Sequence, residues 1–205
     1  MKKILKLLNL DIDENQKWIL IPAFVIGLVM TYTSPVLVKE IIGNLPSKWI
    51  AFQSLFSAGM SFLVGIIWKG NFRKGAIQRF VIFCIIESLA GFILGMYLVF
   101  ISYSIWVYAI ASLIYSTLVS EIVGKCILAF KSKLWNERGR EKYDNNSSIV
   151  GCIVCLAGYT FAILFEPSVK TSVFLWGLCC LLDNLGWIKV YFKNKELLKI
   201  DKEEN

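Results

Sequence analysis

The stretch KSKLWNERGREKYDNNS, Lys131 to Ser147, is the longest polar interruption between two apolar runs in this chain. Before it stands the apolar run Ile105 to about Phe130, and after it Ile149 to Phe165. At 1.5 Å rise per residue, helices of that length span most or all of the roughly 30 Å hydrocarbon core of a bilayer. The interruption therefore reads as a loop joining two membrane spans. Five of its residues are basic, Lys131, Lys133, Arg138, Arg140 and Lys142, and short loops rich in Lys and Arg stay on the cytoplasmic side.

Composition extends this reading to the whole chain. Apolar residues make up 57% and charged residues only 18%, against about a quarter charged in soluble proteins, and the mean hydropathy is +0.62. The fold class is all-α: a polytopic membrane protein with the bilayer as its main partner. A net charge of +7 would suit nucleic acid if it formed an arm or patch, but the basic residues fall in short clusters beside apolar runs, so no nucleic-acid partner is expected.

Working outward from the central loop, the same length criterion places spans at Trp18 to Val38, Trp49 to Trp68, Phe80 to Phe100, Ile105 to about Phe130, Ile149 to Phe165 and Thr171 to Val190. The chain thus divides into a cytoplasmic amphipathic segment (1–17), a six-helix transmembrane bundle (18–190) and a charged cytoplasmic tail (191–205). In the first segment Ile4, Leu5, Leu7 and Leu8 alternate with Lys2, Lys3 and Lys6, the composition of a helix lying on an anionic membrane face. Asn15 is a candidate N-cap for the first span. No small-residue cleavage site follows Val38, so the start is expected to be retained as an anchor. The connection Ile101 to Ser104 is short enough to make the third and fourth spans a hairpin, neighbours at that end.

Six spans put both termini on one side. Eighteen of the 22 Lys and Arg residues lie in the amino-terminal segment, between the second and third spans, in the central loop, or from Lys189 onward; Lys39, Lys48 and Lys170 fall at the opposite face and Lys125 near a helix end. That skew predicts cytoplasmic termini in a multi-pass protein of the cell membrane. Trp18, Trp49, Trp68, Trp106 and Trp187 lie near span ends, where an indole stays half wet.

Two kinds of residue inside the spans point beyond simple insertion. Small residues recur at four-residue spacing, which lets helices approach closely: Ser57, Ser61 and Gly65; Gly91 and Gly95; and Ser112, Ser116, Ser120 and Gly124, a row that is either a packing face or a polar cavity wall. Ionisable residues are rarer, because each costs about 2.5–3.5 kcal/mol at a helix centre. Glu87, Glu121, Lys125 and Asp183 are the candidates for a solute or proton site. Glu121 and Lys125, four apart on one helix, are placed to form an ion pair. Glu87 and Asp183 lack such a local partner and are expected to face the bundle interior as proton- or cation-binding groups.

Enzymatic chemistry is not expected. The chain has no histidine, which removes His-dependent peptidases and phosphatases and any His-ligated metal, and no cofactor or metal is anticipated. The six cysteines, Cys84, Cys126, Cys152, Cys155, Cys179 and Cys180, all lie in apolar runs, where a thiol behaves as a small hydrophobe. The Cys152/Cys155 pair has the spacing of a redox motif, but its place in the fifth span favours packing.

Two stretches carry a family resemblance. Glu137-Arg138-Gly139-Arg140 is similar to the Arg-Gly-Arg turn between helices four and five of the major facilitator superfamily, and Gly65, Arg73 and Lys74 sit where that family's signature between helices two and three has a Gly and a basic pair, with Lys69 in place of the signature's Asp. The whole six-span core resembles one half of such a transporter. The resemblance implies two three-helix repeats, with the first and fourth helices lining any cavity. It also implies that the missing half comes from elsewhere, most simply from a parallel homodimer meeting along the fourth span. The functional expectation is a transporter-like protein handling a small solute or ion. A non-transporting accessory or immunity protein, bound to another membrane protein, is the alternative.

Overall fold

In the computed structural model, residues 12–68 and 76–196 are described. The amphipathic start, the basic positions Lys69, Arg73 and Lys74, and most of the charged tail lie outside them. Every regular element among the described residues is helical. The elements are α1 (Glu14–Asn44), α2 (Lys48–Ile67), α3 (Ala76–Phe100), α4 (Ile105–Ile114), a π-helical segment (Tyr115–Val119), α5 (Ser120–Leu134), α6 (Glu137–Leu164), α7 (Val169–Asp183) and α8 (Leu185–Lys193). They form six helices long and apolar enough to cross a membrane, the fourth being α4, the π-segment and α5 in series and the sixth α7 followed by α8.

Local chemistry sets most of the ends. Asp13, not Asn15, caps α1: its carboxylate accepts the Gln16 N–H at 2.7 Å, which places Asn15 inside the first turn. Ser168, just after Pro167, caps α7 by accepting the Thr171 N–H at 3.1 Å. Asn136 caps α6 through the Gly139 N–H at 2.9 Å.

That last cap changes the reading of the central stretch. Lys131 to Ser147 is not an extended loop; only Trp135 and Asn136 interrupt the helices. Lys, Glu and Arg are good helix formers, so α5 and α6 continue past the apolar core. Side-chain packing also holds them: Tyr143 of α6 stacks on Trp135 with ring centroids 5.1 Å apart and meets Trp187 at 5.7 Å. These rings join Ile19, Leu20, Phe80, Phe130 and Val190 in a core cluster. The Arg138-Gly139-Arg140 stretch is accordingly the first turn of a capped helix, with Arg138 exposed and Arg140 half-buried.

The sixth span is the centre of the bundle. α7 packs between α1 and α3; α6 covers the other side of α1; the π-segment and α5 pack on α3; and α2 lies outermost, against the π-segment and α5. Between the third and fourth spans the packing lies chiefly at the π-segment and α5 rather than at the short turn. Near that turn Leu98 and Tyr108 close instead on Val173 and Trp176 of α7.

Small residues make these crossings possible. A Cβ built on Gly95 would lie 2.7 Å from the Gly177 Cα, and one on Gly91 would lie 2.5 Å from the Cys180 Cβ. Gly158 of α6 similarly accommodates Thr31 of α1, whose hydroxyl reaches the Val154 carbonyl at 3.3 Å. Large apolar side chains such as Leu55, Phe62, Ile93, Leu128, Leu156 and Ile163 cover the outside, as lipid-facing surfaces require.

Candidate functional site

Glu87 lies one helical turn from Gly91, where α3 and α7 make one of their closest approaches. That proximity keeps its carboxyl away from lipid, and Glu87 is only 3% exposed. The sixth span breaks opposite it. α7 ends at Asp183 and α8 begins at Leu185, with Asn184 between them at φ −90°, ψ −4°. Asn184 is itself buried, and its Nδ2 donates to Glu87 Oε2 at 2.7 Å while standing 3.5 Å from both Ser88 Oγ and the Cys84 carbonyl.

The other carboxyl oxygen faces the fourth span. Ser120 Oγ lies 3.2 Å from Glu87 Oε1 and 3.0 Å from the Tyr115 carbonyl oxygen. The π-segment explains this placement: its wider turn carries one residue more than an α-turn and brings Ser120 beneath Tyr115. Each carboxyl oxygen thus meets a neutral polar group, and among the described residues no Lys or Arg forms an ion pair with Glu87. Pairing by neutral polar groups satisfies the hydrogen-bonding capacity of a buried carboxyl without supplying a countercharge.

Asp183 stands differently. It follows Trp176, Cys179 and Cys180 at helical spacing on the stripe of α7 that is buried, yet Asp183 itself is exposed. It nevertheless stands beside Glu87 and Cys180, at the point where α7 gives way to Asn184.

Glu121 and Lys125 are half-buried and do not pair with each other. Glu121 Oε1 instead accepts the Ser61 hydroxyl of α2 at 3.0 Å, so one member of the small-residue row on α2 bonds across to the fourth span. The row on the fourth span does not form one face. Ser112 and Ser116 bond back to the Ala109 and Leu113 carbonyls of their own helix, Ser116 and Gly124 are exposed, and Ser120 is turned toward Glu87. Four-residue spacing aligns side chains only in an uninterrupted α-helix, and the π-segment breaks that alignment. Cys152 and Cys155 are free thiols exposed on α6.

Two members of the site, Asn184 and Ser88, are absent from the sequence-derived candidates. An amide directly following an acid within an apolar run was the available signal for Asn184. A second polar set ties the span ends together. Asn146 Nδ2 donates to the buried Gln16 Oε1 at 3.0 Å, and Trp135 Nε1 donates to Asp13 Oδ2 at 3.1 Å. Lys193 forms an ion pair with Glu14 at 2.7 Å. Compared with known proteins, the chain matches no protein family, no curated protein and no solved structure.

Proposed function

We propose that this chain is a transporter-like protein of the cell membrane, with both termini cytoplasmic, and that Glu87 is the centre of its solute- or ion-handling site. One observation carries the reading: a carboxyl inside the bundle is held where the sixth span breaks at Asn184 and the fourth bulges at Tyr115–Val119. Membrane transporters place their sites at interrupted helices, where backbone and polar side chains are released from regular pairing. Acids within spans mark ion and proton pathways, and π-bulges recur at functional sites.

The packing order supports a half-transporter architecture of two three-helix repeats. Taken across the bundle, the spans run in the order fifth, first, sixth, third, fourth, second. Exchanging first with fourth, second with fifth and third with sixth turns this order into its own reverse, the pattern that a two-fold relation between repeats produces. A second copy of the chain supplies the other half in a parallel homodimer. Ser116 and Gly124, exposed on the fourth span, belong to the surface available for that contact, whereas Ser120 does not.

The test is flux through the purified full-length protein in vesicles, screened against small ions and solutes. Glu87→Gln is expected to abolish flux while the protein still inserts, and crosslinking in native membranes is expected to capture dimers. Only monomers, with no flux for any solute, would instead favour an accessory protein bound to another membrane protein.

A further inference from the structure

The Ser120 hydroxyl has one hydrogen and two acceptors, the Tyr115 carbonyl oxygen at 3.0 Å and Glu87 Oε1 at 3.2 Å. It donates well to only one of them at a time. With the hydrogen on the carbonyl, Ser120 Oγ presents a lone pair to Glu87, and the contact is a hydrogen bond when the carboxyl carries a proton and donates it. With the hydrogen turned to Oε1, the contact is a hydrogen bond when the carboxyl is ionised and accepts it. Asn184 Nδ2 serves Oε2 in both cases, at 2.7 Å. Both protonation states therefore find partners in one backbone arrangement, whereas a buried acid with fixed donors or fixed acceptors is satisfied in only one.

Among the described residues no Lys or Arg forms an ion pair with Glu87, so neither state is locked by a full opposite charge. From α3 itself Cys84 and Ser88 stand nearby, from α7 Cys180 and Asp183, and from the fourth span Tyr115; toward the start of α3, Cys126 meets Cys84 and the Arg79 charge, and Tyr191 of α8 packs on Phe80. We propose that Glu87 is a reversible proton-binding site, and that rotation of the Ser120 hydroxyl between the Tyr115 carbonyl and the carboxyl is its switch. On uptake an O–H bond forms at Oε1 as an O–H bond of hydronium breaks and leaves neutral water. On release that bond breaks, its electron pair stays on the carboxylate and the proton returns to water. The use of this site for coupling rests on the transport reading above; its proton chemistry does not.

Infrared difference spectroscopy of the full chain in vesicles, stepped in pH, reads the carboxyl directly. The expected result is a carboxylic C=O band that appears and disappears reversibly, is absent in Glu87→Gln and is retained in Asp183→Asn. In Ser120→Ala the band is expected at higher frequency, because the acid has lost its acceptor. Thermal unfolding of each variant checks folding, and Ser120→Ala keeps the test available if Glu87→Gln does not fold. No pH-dependent band in the wild type, loss of the band in Asp183→Asn, or an unchanged frequency in folded Ser120→Ala overturns the proposal. A titrating Glu87 band in vesicles that move no solute leaves the proton site standing and removes the transporter.

Discussion

Gly95 and Gly177 meet backbone to backbone where α3 crosses α7, so closely that a Cβ on Gly95 would stand 2.7 Å from the Gly177 Cα. This crossing and the neighbouring contact of Gly91 with Cys180 hold the third and sixth spans together beside Glu87.

Bulk at the crossing is therefore expected to separate these helices. Gly95→Val should cost about 1–3 kcal/mol, the usual range for overpacking a tight contact, and lower the unfolding temperature in mild detergent. Gly59 and Gly151, whose added Cβ would meet nothing within 4 Å, serve as controls. Alanine there should be neutral or stabilising by up to about 1 kcal/mol, since it removes a helix-interior glycine. Equal losses at all three positions would show that the crossing has no special role.

Side choice for the central turn is testable by thiol labelling. Asn136 and Ser168 are helix caps, and replacing a cap costs about 1 kcal/mol, so single cysteines belong at the exposed residues Arg138 and Lys170. In a background without the native cysteines, an impermeant reagent outside intact cells is expected to label the Lys170→Cys variant. The Arg138→Cys variant should react only after permeabilisation. Labelling of Arg138→Cys in intact cells would reverse the proposed orientation.

The Ser61–Glu121 bond ties the outermost helix to the fourth span. A double-mutant cycle with Ser61→Ala and Glu121→Ala should return a coupling of about 0.5–1.5 kcal/mol, the net range for an intramolecular hydrogen bond. The cycle of Glu121→Ala with Lys125→Ala should return almost none. A reversal of the two couplings would restore the intrahelical ion pair as the dominant contact.

Alkaline pH should report on the turn between the third and fourth spans. Tyr103 donates to Glu40 Oε1 at 3.3 Å, and burial, followed by the Glu40 charge and hydrogen bond, pushes its phenol up from 10 to about 12. Because the folded value is raised, the contribution of this contact is complete below pH 10 and is lost as pH rises through about 12. Ultraviolet titration should show a late tyrosinate component that Tyr103→Phe reduces by the amplitude of one tyrosine and of which Glu40→Gln moves one tyrosine's share to lower pH. A component unmoved by Glu40→Gln would detach Tyr103 from the carboxylate.

Membrane class and span number were legible in the order of residues, because apolarity and length are properties of contiguous segments and the bilayer admits few alternatives. Glu87 was legible for a related reason: an acid within an apolar run stands out wherever its helix packs. The Gly91 and Gly95 pair announced a close crossing, though not that its partner would be Gly177. Tertiary structure decided the rest. Packing of Tyr143 against Trp135 and Trp187 accompanies the continuation of helix through a stretch whose polarity reads as loop. Asn184, 97 residues beyond Glu87, became its closest hydrogen-bond donor only when α3 and α7 crossed. One extra residue in the turn at Tyr115–Val119 rotates the downstream helix, α5, by about 100° around its axis, turning Ser120 inward while Ser116 stays exposed. Such a rotation leaves composition unchanged and is expressed only in the pairing of backbone hydrogen bonds, which is set by what the helix packs against.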